Sequence, residues 1–379
     1  MELLSLLSGI ESFMANQSLN RLYYLDALRS FLILMVVLLH SSQIYNTSQS
    51  WLIYSSNVSN SVHYLVDFLQ LLCMPTFFII AGYFSVISFK HSQGNNFLMK
   101  RVLRLAIPLF FIAFTLNTLQ SYILVITGWK DYDLISYISQ GYWIQHLWFL
   151  INLIVYTIIS YILVVFYKKE LKILLLSVPE KLVILKTYQL LFILPLISLS
   201  LILLKQATPS YFLGVNINQI ISYMPYFFFG ILLMFNDRLL KKFTDISISF
   251  ALVIILLSIM IIEYTSNAQG ILSKLLFYYT KALGAWFAAS LAFTVFQKYV
   301  NYQSMFIYKI SDASYSIYLV HHIFVVLIGL VLIKVNVEAW MGLPILFILS
   351  VGISYIIHQN LIVKNSLLLF LINGKKSKF

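Results

Sequence analysis

Arg29 and His40 stand eleven positions apart in RLYYLDALRSFLILMVVLLH, residues 21–40, a stretch whose second half is apolar enough to lie in lipid. On a helix, eleven steps of about 100° return to within about 20° of one face, and a rise of about 1.5 Å per residue sets the pair about 16 Å apart. A guanidinium grips phosphate oxygens with paired hydrogen bonds, and an imidazole exchanges protons near neutral pH. Taken singly, Arg29 reads equally as an interfacial anchor and His40 as a hydrogen-bonded bundle residue. Their shared face favours one groove serving both. A ligand with a phosphorylated head and a long arm ending in a reactive group fits it, and acyl-CoA has that shape.

Other residues can join the pair. Arg101 and Arg104, three apart, lie on one side of a helix and can hold phosphates with Arg29, although alone they read as anchors. Asp67 falls at a depth similar to that of His40 in the next apolar run, where a carboxylate can accept a hydrogen bond from one ring nitrogen and make the other a better base. The alternative for Asp67 is a capping or interface carboxylate. His146 opens HLWF, with Trp148 two places on; His321 and His322 fall mid-run, and His358 late in the chain. Intramembrane ionisable residues usually face a cavity or a partner. Adjacent helical residues point about 100° apart, so one of His321 and His322 is expected to be structural. Tyr83, beside Gly82, either offers its hydroxyl to a cavity or packs. The catalytic candidates are therefore His40, Asp67 and Arg29, and the substrate-binding candidates His146, Trp148, Tyr83 and His322.

Positioning these groups falls to long apolar segments. With 61% hydrophobic and only 10% charged residues in 379, the chain is too apolar for a soluble domain. Runs of about 20 apolar residues, the length that crosses a bilayer, predict ten spans at 25–45, 62–89, 102–127, 144–167, 187–204, 217–235, 246–263, 275–297, 312–334 and 340–363. The fold class expected is an all-α polytopic membrane protein. Its parts are an interfacial segment over 1–20, a membrane domain over 21–370 and a basic tail over 371–379. Connections at 90–104, 168–186, 236–245 and 298–309 and the tail are basic, whereas those between hold few lysines or arginines. The positive-inside rule then puts both termini in the cytoplasm.

The net charge of +12 is spread over these loops, so it speaks for topology and against nucleic acid. Cys73 is the only cysteine, which excludes an internal disulfide and a thiolate zinc cluster; no metal is expected. Pro75 and Pro225 can kink helices, and Gly82 and Gly230 allow close packing.

The motifs LDALRSFLILMVVLLH, MPTFFIIAGYFS, KRVLRLAIP, HLWFLINLIVY and ASYSIYLVHH together resemble the acyltransferase 3 membrane family over about residues 20–375. Within it they are similar to the group that succinylates osmoregulated periplasmic glucans. The resemblance implies a ten-helix bundle in the bacterial inner membrane that takes an acyl group, succinyl or acetyl, from cytoplasmic acyl-CoA to a hydroxyl of an envelope polysaccharide. It also implies that His40 is essential: Arg29 and His40 occupy the family's motif positions, and Arg101 and Arg104 match its basic pair before a proline, here Pro108. From the residues themselves, Arg29, Arg101 and Arg104 are expected to hold the phosphates of acyl-CoA. Two departures stand out: the family's Ser-Gly-Tyr is Ala81-Gly82-Tyr83, and the acidic residue expected late in the last helix is absent around SYIIHQN. From the residues alone, the rival reading is a proton-coupled carrier with His40, Asp67 and His322 as relay sites, although no pair of matching interrupted helices marks two halves.

Overall fold

A computed structural model describes residues 23–91 and 95–375; the expected interfacial segment over 1–20 and the tail end, 376–379, lie outside them. Ten long helical segments occupy the ten predicted spans. They are α1 (Tyr23–Gln43), α2 (Asn60–His91), α3 (Asn95–Ile112) continued through a π-turn at Ala113–Asn117 into α4 (Thr118–Ile126), α6 (Trp148–Phe166), α8 (Thr187–Ala207), α9 (Ile217–Phe235), α11 (Ile248–Ser266), α12 (Ile271–Tyr299), α13 (Met305–Lys334) and α14 (Ala339–Ile357). Among the described residues, nine of these are long and apolar enough to cross a membrane. The tenth, α12, is long enough but carries Lys274, Lys281 and Lys298. It sits against α1, α2, α8 and α11 and turns Ala282, Gly284, Ala285, Ala288, Ala289 and Ala292 inward. Small side chains let backbones approach where lipid supplies no hydrophobic drive.

Shorter elements fill the connections: α5 (Leu134–Ser139), α7 (Lys168–Ile184), a hairpin of β1 (Tyr211–Phe212) and β2 (Val215–Asn216), α10 (Asp237–Phe243) and α15 (Ser366–Asn373). The basic connection 168–186 is thus mostly helix. It is tied to α10, where Lys242 Nζ donates to the carbonyls of Val183 and Leu185 and Arg238 pairs with Glu180 at 3.1 Å.

Two packing features position the site. At the crossing of α2 and α9, a Cβ on Gly82 would lie 1.9 Å from the Phe227 carbonyl oxygen, and one on Gly230 would lie 2.0 Å from that of Ile79. Only hydrogen fits at either point. The second feature is the pairing of α1 with α13, which run in the same direction: Arg29 Nη2 donates to Ser311 Oγ at 2.9 Å, and eleven residues later on both helices the rings of His40 and His322 meet at 5.0 Å. Equal spacing on both partners keeps the two contacts in register.

Candidate active site

The arginine end is built on one turn of α2. Arg101 Nε donates to Thr157 Oγ1 at 3.2 Å and its Nη2 to the Ala81 carbonyl at 3.5 Å, while Arg29 lies 6.0 Å over the Phe84 ring and 3.6 Å from Asp26 Oδ1. Arg104 is exposed one turn beyond Arg101, and α15 abuts its backbone at Gly374, a left-handed residue whose Cβ would sit 2.7 Å from Arg104 Cα. The three arginines therefore share one end of the bundle. Tyr83 is buried there against Phe84.

About 16 Å along α1, four imidazoles form a closed ring. His40 lies 5.4 Å from His321 and 5.0 Å from His322, and His146 lies 5.5 Å from His321 and stacks on His322 at 4.5 Å, all between ring centroids. Trp51 stacks over His40 at 6.0 Å and meets His322 edge-on at 5.4 Å. His40, His146 and His322 line a cavity of about 440 Å³ together with Trp51, Trp148 and Asn152.

Helices make the floor of this cavity and connections make its roof. The Trp51 loop closes on itself through Ser55 N–H to Ile44 O at 2.8 Å and Ser59 N–H to Tyr45 O at 3.0 Å. It is seated on glycines: a Cβ on Gly342 would strike the Tyr45 hydroxyl, and one on Gly329 would strike Ile44. Opposite it, the β1–β2 hairpin meets the turn after α5 through Gly141 and Gly214, both left-handed (φ +74° and +79°), where a Cβ on Gly141 would fall 2.1 Å from the Gly214 oxygen. Tyr132, Tyr142 and Tyr211 turn their rings to the cavity, with Gln140, Asn216 and Gln219 among them. Burial and the neighbouring phenols of Tyr142 and Tyr137 push the Tyr132 hydroxyl up to about 12, so it is a neutral donor at physiological pH.

A buried amide relay holds one imidazole. His322 Nδ1 contacts Gln120 Oε1 at 2.8 Å, Gln120 Nε2 donates to Gln145 Oε1, and Gln145 Nε2 donates to Ser121 Oγ at 3.0 Å. Gln120 is wholly buried just after the π-turn, where Asn117 ties the helix to the carbonyls of Trp143 and Ile144 at 3.0 and 3.2 Å. π-turns frequently mark functional positions.

Several sequence expectations change at this point. Asp67 does not meet His40: it faces His63 at 3.7 Å, one turn earlier on α2, and His63 Nε2 in turn meets Glu263 of α11 at 3.1 Å. Equal depth left the azimuth of Asp67 open, and its side of α2 looks toward α11. Those three groups bring ligand atoms within 4.8 Å of one another, the reach of a metal ion, beside the cation Lys281. Tyr83 does not line the cavity. Only His322 of the His321–His322 pair lines it, yet His321 is no bystander, because its ring completes the cluster while Nδ1–H donates to the Ile317 carbonyl at 3.0 Å. His358 instead serves the arginine end, bonded to Ser316 Oγ at 2.8 Å and facing Asp312 at 3.5 Å. Gln120, Gln145 and Trp51 were not singled out from sequence. A glutamine deep in an apolar run is costly enough in lipid to have flagged the first.

No arginine lines the cavity. Beside it the rings of Phe77, Phe149 and Tyr318 pack on one another, Phe77 on Phe149 at 5.6 Å and Phe149 edge-on to Tyr318 at 6.0 Å, and Tyr318 donates to the His146 carbonyl at 2.6 Å.

Imidazole rings line a polar-roofed cavity inside a bundle of apolar helices, an arrangement that suits a membrane-embedded enzyme. The chain belongs to the acyltransferase 3 family, whose acyltransferase domain matches residues 22–359, and the protein is an acyltransferase. It is 27% identical over 372 aligned residues to the glucans biosynthesis protein C of Salmonella schwarzengrund (strain CVM19633) and 26% identical over 383 to that of Escherichia coli O1:K1 / APEC, each match covering 94% of this chain and 95% of the relative. No solved structure matches the chain.

Proposed function

We propose that this protein moves an acyl group, succinyl or acetyl, from acyl-CoA at the arginine end to a hydroxyl of an envelope glucan or related glycan at the cavity end, across the bacterial inner membrane. The observation that carries this reading is the two-ended helix α1, with Arg29 at one end and His40 at the other on a shared partner, α13. On this reading the arginine end faces the cytoplasm, as its basic connections require. Arg29, Arg101 and Arg104 hold the phosphates of the donor, whose pantetheine arm parts the aromatic layer of Phe77, Phe149 and Tyr318 and brings the thioester to His40.

The cavity suits a carbohydrate acceptor. Flat rings of Trp51, Trp148 and Tyr132 offer faces to sugar C–H groups, and the amides of Asn152, Asn216 and Gln219 offer donors and acceptors to hydroxyls. The relatives named for glucan biosynthesis support the same acceptor class. His40 handles the proton that leaves the acceptor hydroxyl as it attacks the thioester carbonyl. Replacement of His40 by Ala should abolish the acyl mass increment on envelope glucans while the protein still inserts; an undiminished increment refutes the reading.

A further inference from the structure

The four imidazoles differ in how they are held, and the difference divides the proton work. His322 is fixed through one nitrogen only: with the amides oriented as they are, Gln120 spends its N–H on Gln145 and leaves its oxygen to accept from His322 Nδ1–H. A neutral imidazole carries one proton, so Nε2 keeps a lone pair. That lone pair belongs to a ring that lines the cavity. His40 is the opposite case. Its Nδ1 is buried without a partner, and neither nitrogen makes a hydrogen bond among the described residues. A ring with both nitrogens unheld can accept on one side and donate on the other. The relay behind His322 is also costly to maintain: Gln145 sits in the left-handed region at φ +45°, where a residue other than glycine is strained, and such strain persists only where the surroundings fix it.

We propose that His322 is the base that takes the proton from the acceptor hydroxyl, that Gln120 is its positioning residue, and that His40 passes the proton on to the leaving sulfur. The proposal rests on the acyl-transfer reading above and deepens it. In the step, the acceptor O–H bond breaks toward His322 Nε2 as its oxygen bonds the acyl carbon. The C–S bond breaks with its electron pair on sulfur. His322 then gives the proton to one nitrogen of His40, whose ring lies 5.0 Å away edge-on, and His40 releases the proton on its other nitrogen to the thiolate. The products are the ester and the free thiol, and both rings return to neutrality with His322 in its starting tautomer.

The test uses the full-length enzyme in detergent or nanodiscs with acyl-CoA and a glucan acceptor, separating kcat from acceptor KM. General-base loss typically costs about 10²- to 10⁴-fold in rate. His322→Gln and Gln120→Met should each lower kcat, the first by about 100-fold or more, with acceptor KM changed less than threefold. Gln120→Glu, which keeps an acceptor for Nδ1–H, should recover at least a tenth of wild-type kcat. A His322→Gln enzyme within threefold of wild type overturns the proposal, as does a Gln120→Glu enzyme no better than Gln120→Met. If His40→Ala alone is inactive, the acyl-transfer reading survives that failure. If His40→Ala and His322→Gln both keep full activity, the reading itself falls.

Discussion

At the arginine end, the polar side chains are tied down: Arg101 is bonded to Thr157 and the Ala81 carbonyl, Arg29 to Ser311, and the imidazole of His358 to Ser316. At the histidine end, three of the four rings are packed on other rings with buried nitrogens left over, and only His322 is held by a side chain. On the proposed reading, cations fixed by such partners dock the donor's charged head, because little entropy is lost when the ligand arrives. On the same reading, rings that no side chain fixes carry protons beside the one base that a side chain does fix. The same helix, α1, delivers a residue to each end.

This contrast can be broken by mutations that act on one substrate and spare the other. The largest effect expected is at the arginine end, where Arg101→Gln removes a charge-assisted contact worth about 1.5–3 kcal/mol, so donor affinity should fall about 10- to 100-fold. Acceptor KM should stay within twofold, and isothermal titration with acyl-CoA reads the first number directly. Next comes Trp51→Ala at the roof. It should raise acceptor KM by about tenfold, the cost of one aromatic anchor, and leave donor binding as it was. A tenfold change in donor affinity from this substitution would erase the distinction between the ends. Smallest is Tyr132→Phe, which deletes one neutral hydrogen bond of about 0.5–1.5 kcal/mol and should raise acceptor KM about three- to tenfold. Because its hydroxyl titrates only near 12, the defect should be constant from pH 6 to 9; a defect that varies over that range would break the assignment.

Much of the bundle was legible because lipid imposes a simple rule: every span needs about 20 apolar residues. The ten runs and the α1 spacing of Arg29 and His40 followed from that rule and from helix geometry. Gly82 and Gly230 stood out as packing points, and each proves to face a backbone oxygen across the α2–α9 crossing. What failed was azimuth between helices. Asp67 and His40 share a depth, but depth along a helix says nothing of which neighbour a side chain faces, and Asp67 faces His63. The histidine ring was illegible for the same reason, since its members come from α1, α13 and the turn before α6, brought together by packing alone. Gln120 is a different case: an amide deep in an apolar run is costly in lipid and so marks a polar partner, but which ring it holds is set only by packing across the bundle.

The roof of the cavity is built from chain that lies outside the apolar helices, namely the Trp51 loop, the turn after α5 and the β1–β2 hairpin, whereas the histidines are anchored in or against the helices themselves. Loops accept substitution and insertion far more readily than packed spans do. Descendants of this protein can therefore acquire new acceptors by exchanging a few surface segments while inheriting the proton-handling apparatus unaltered, a modular route to diversity in what the same bundle decorates.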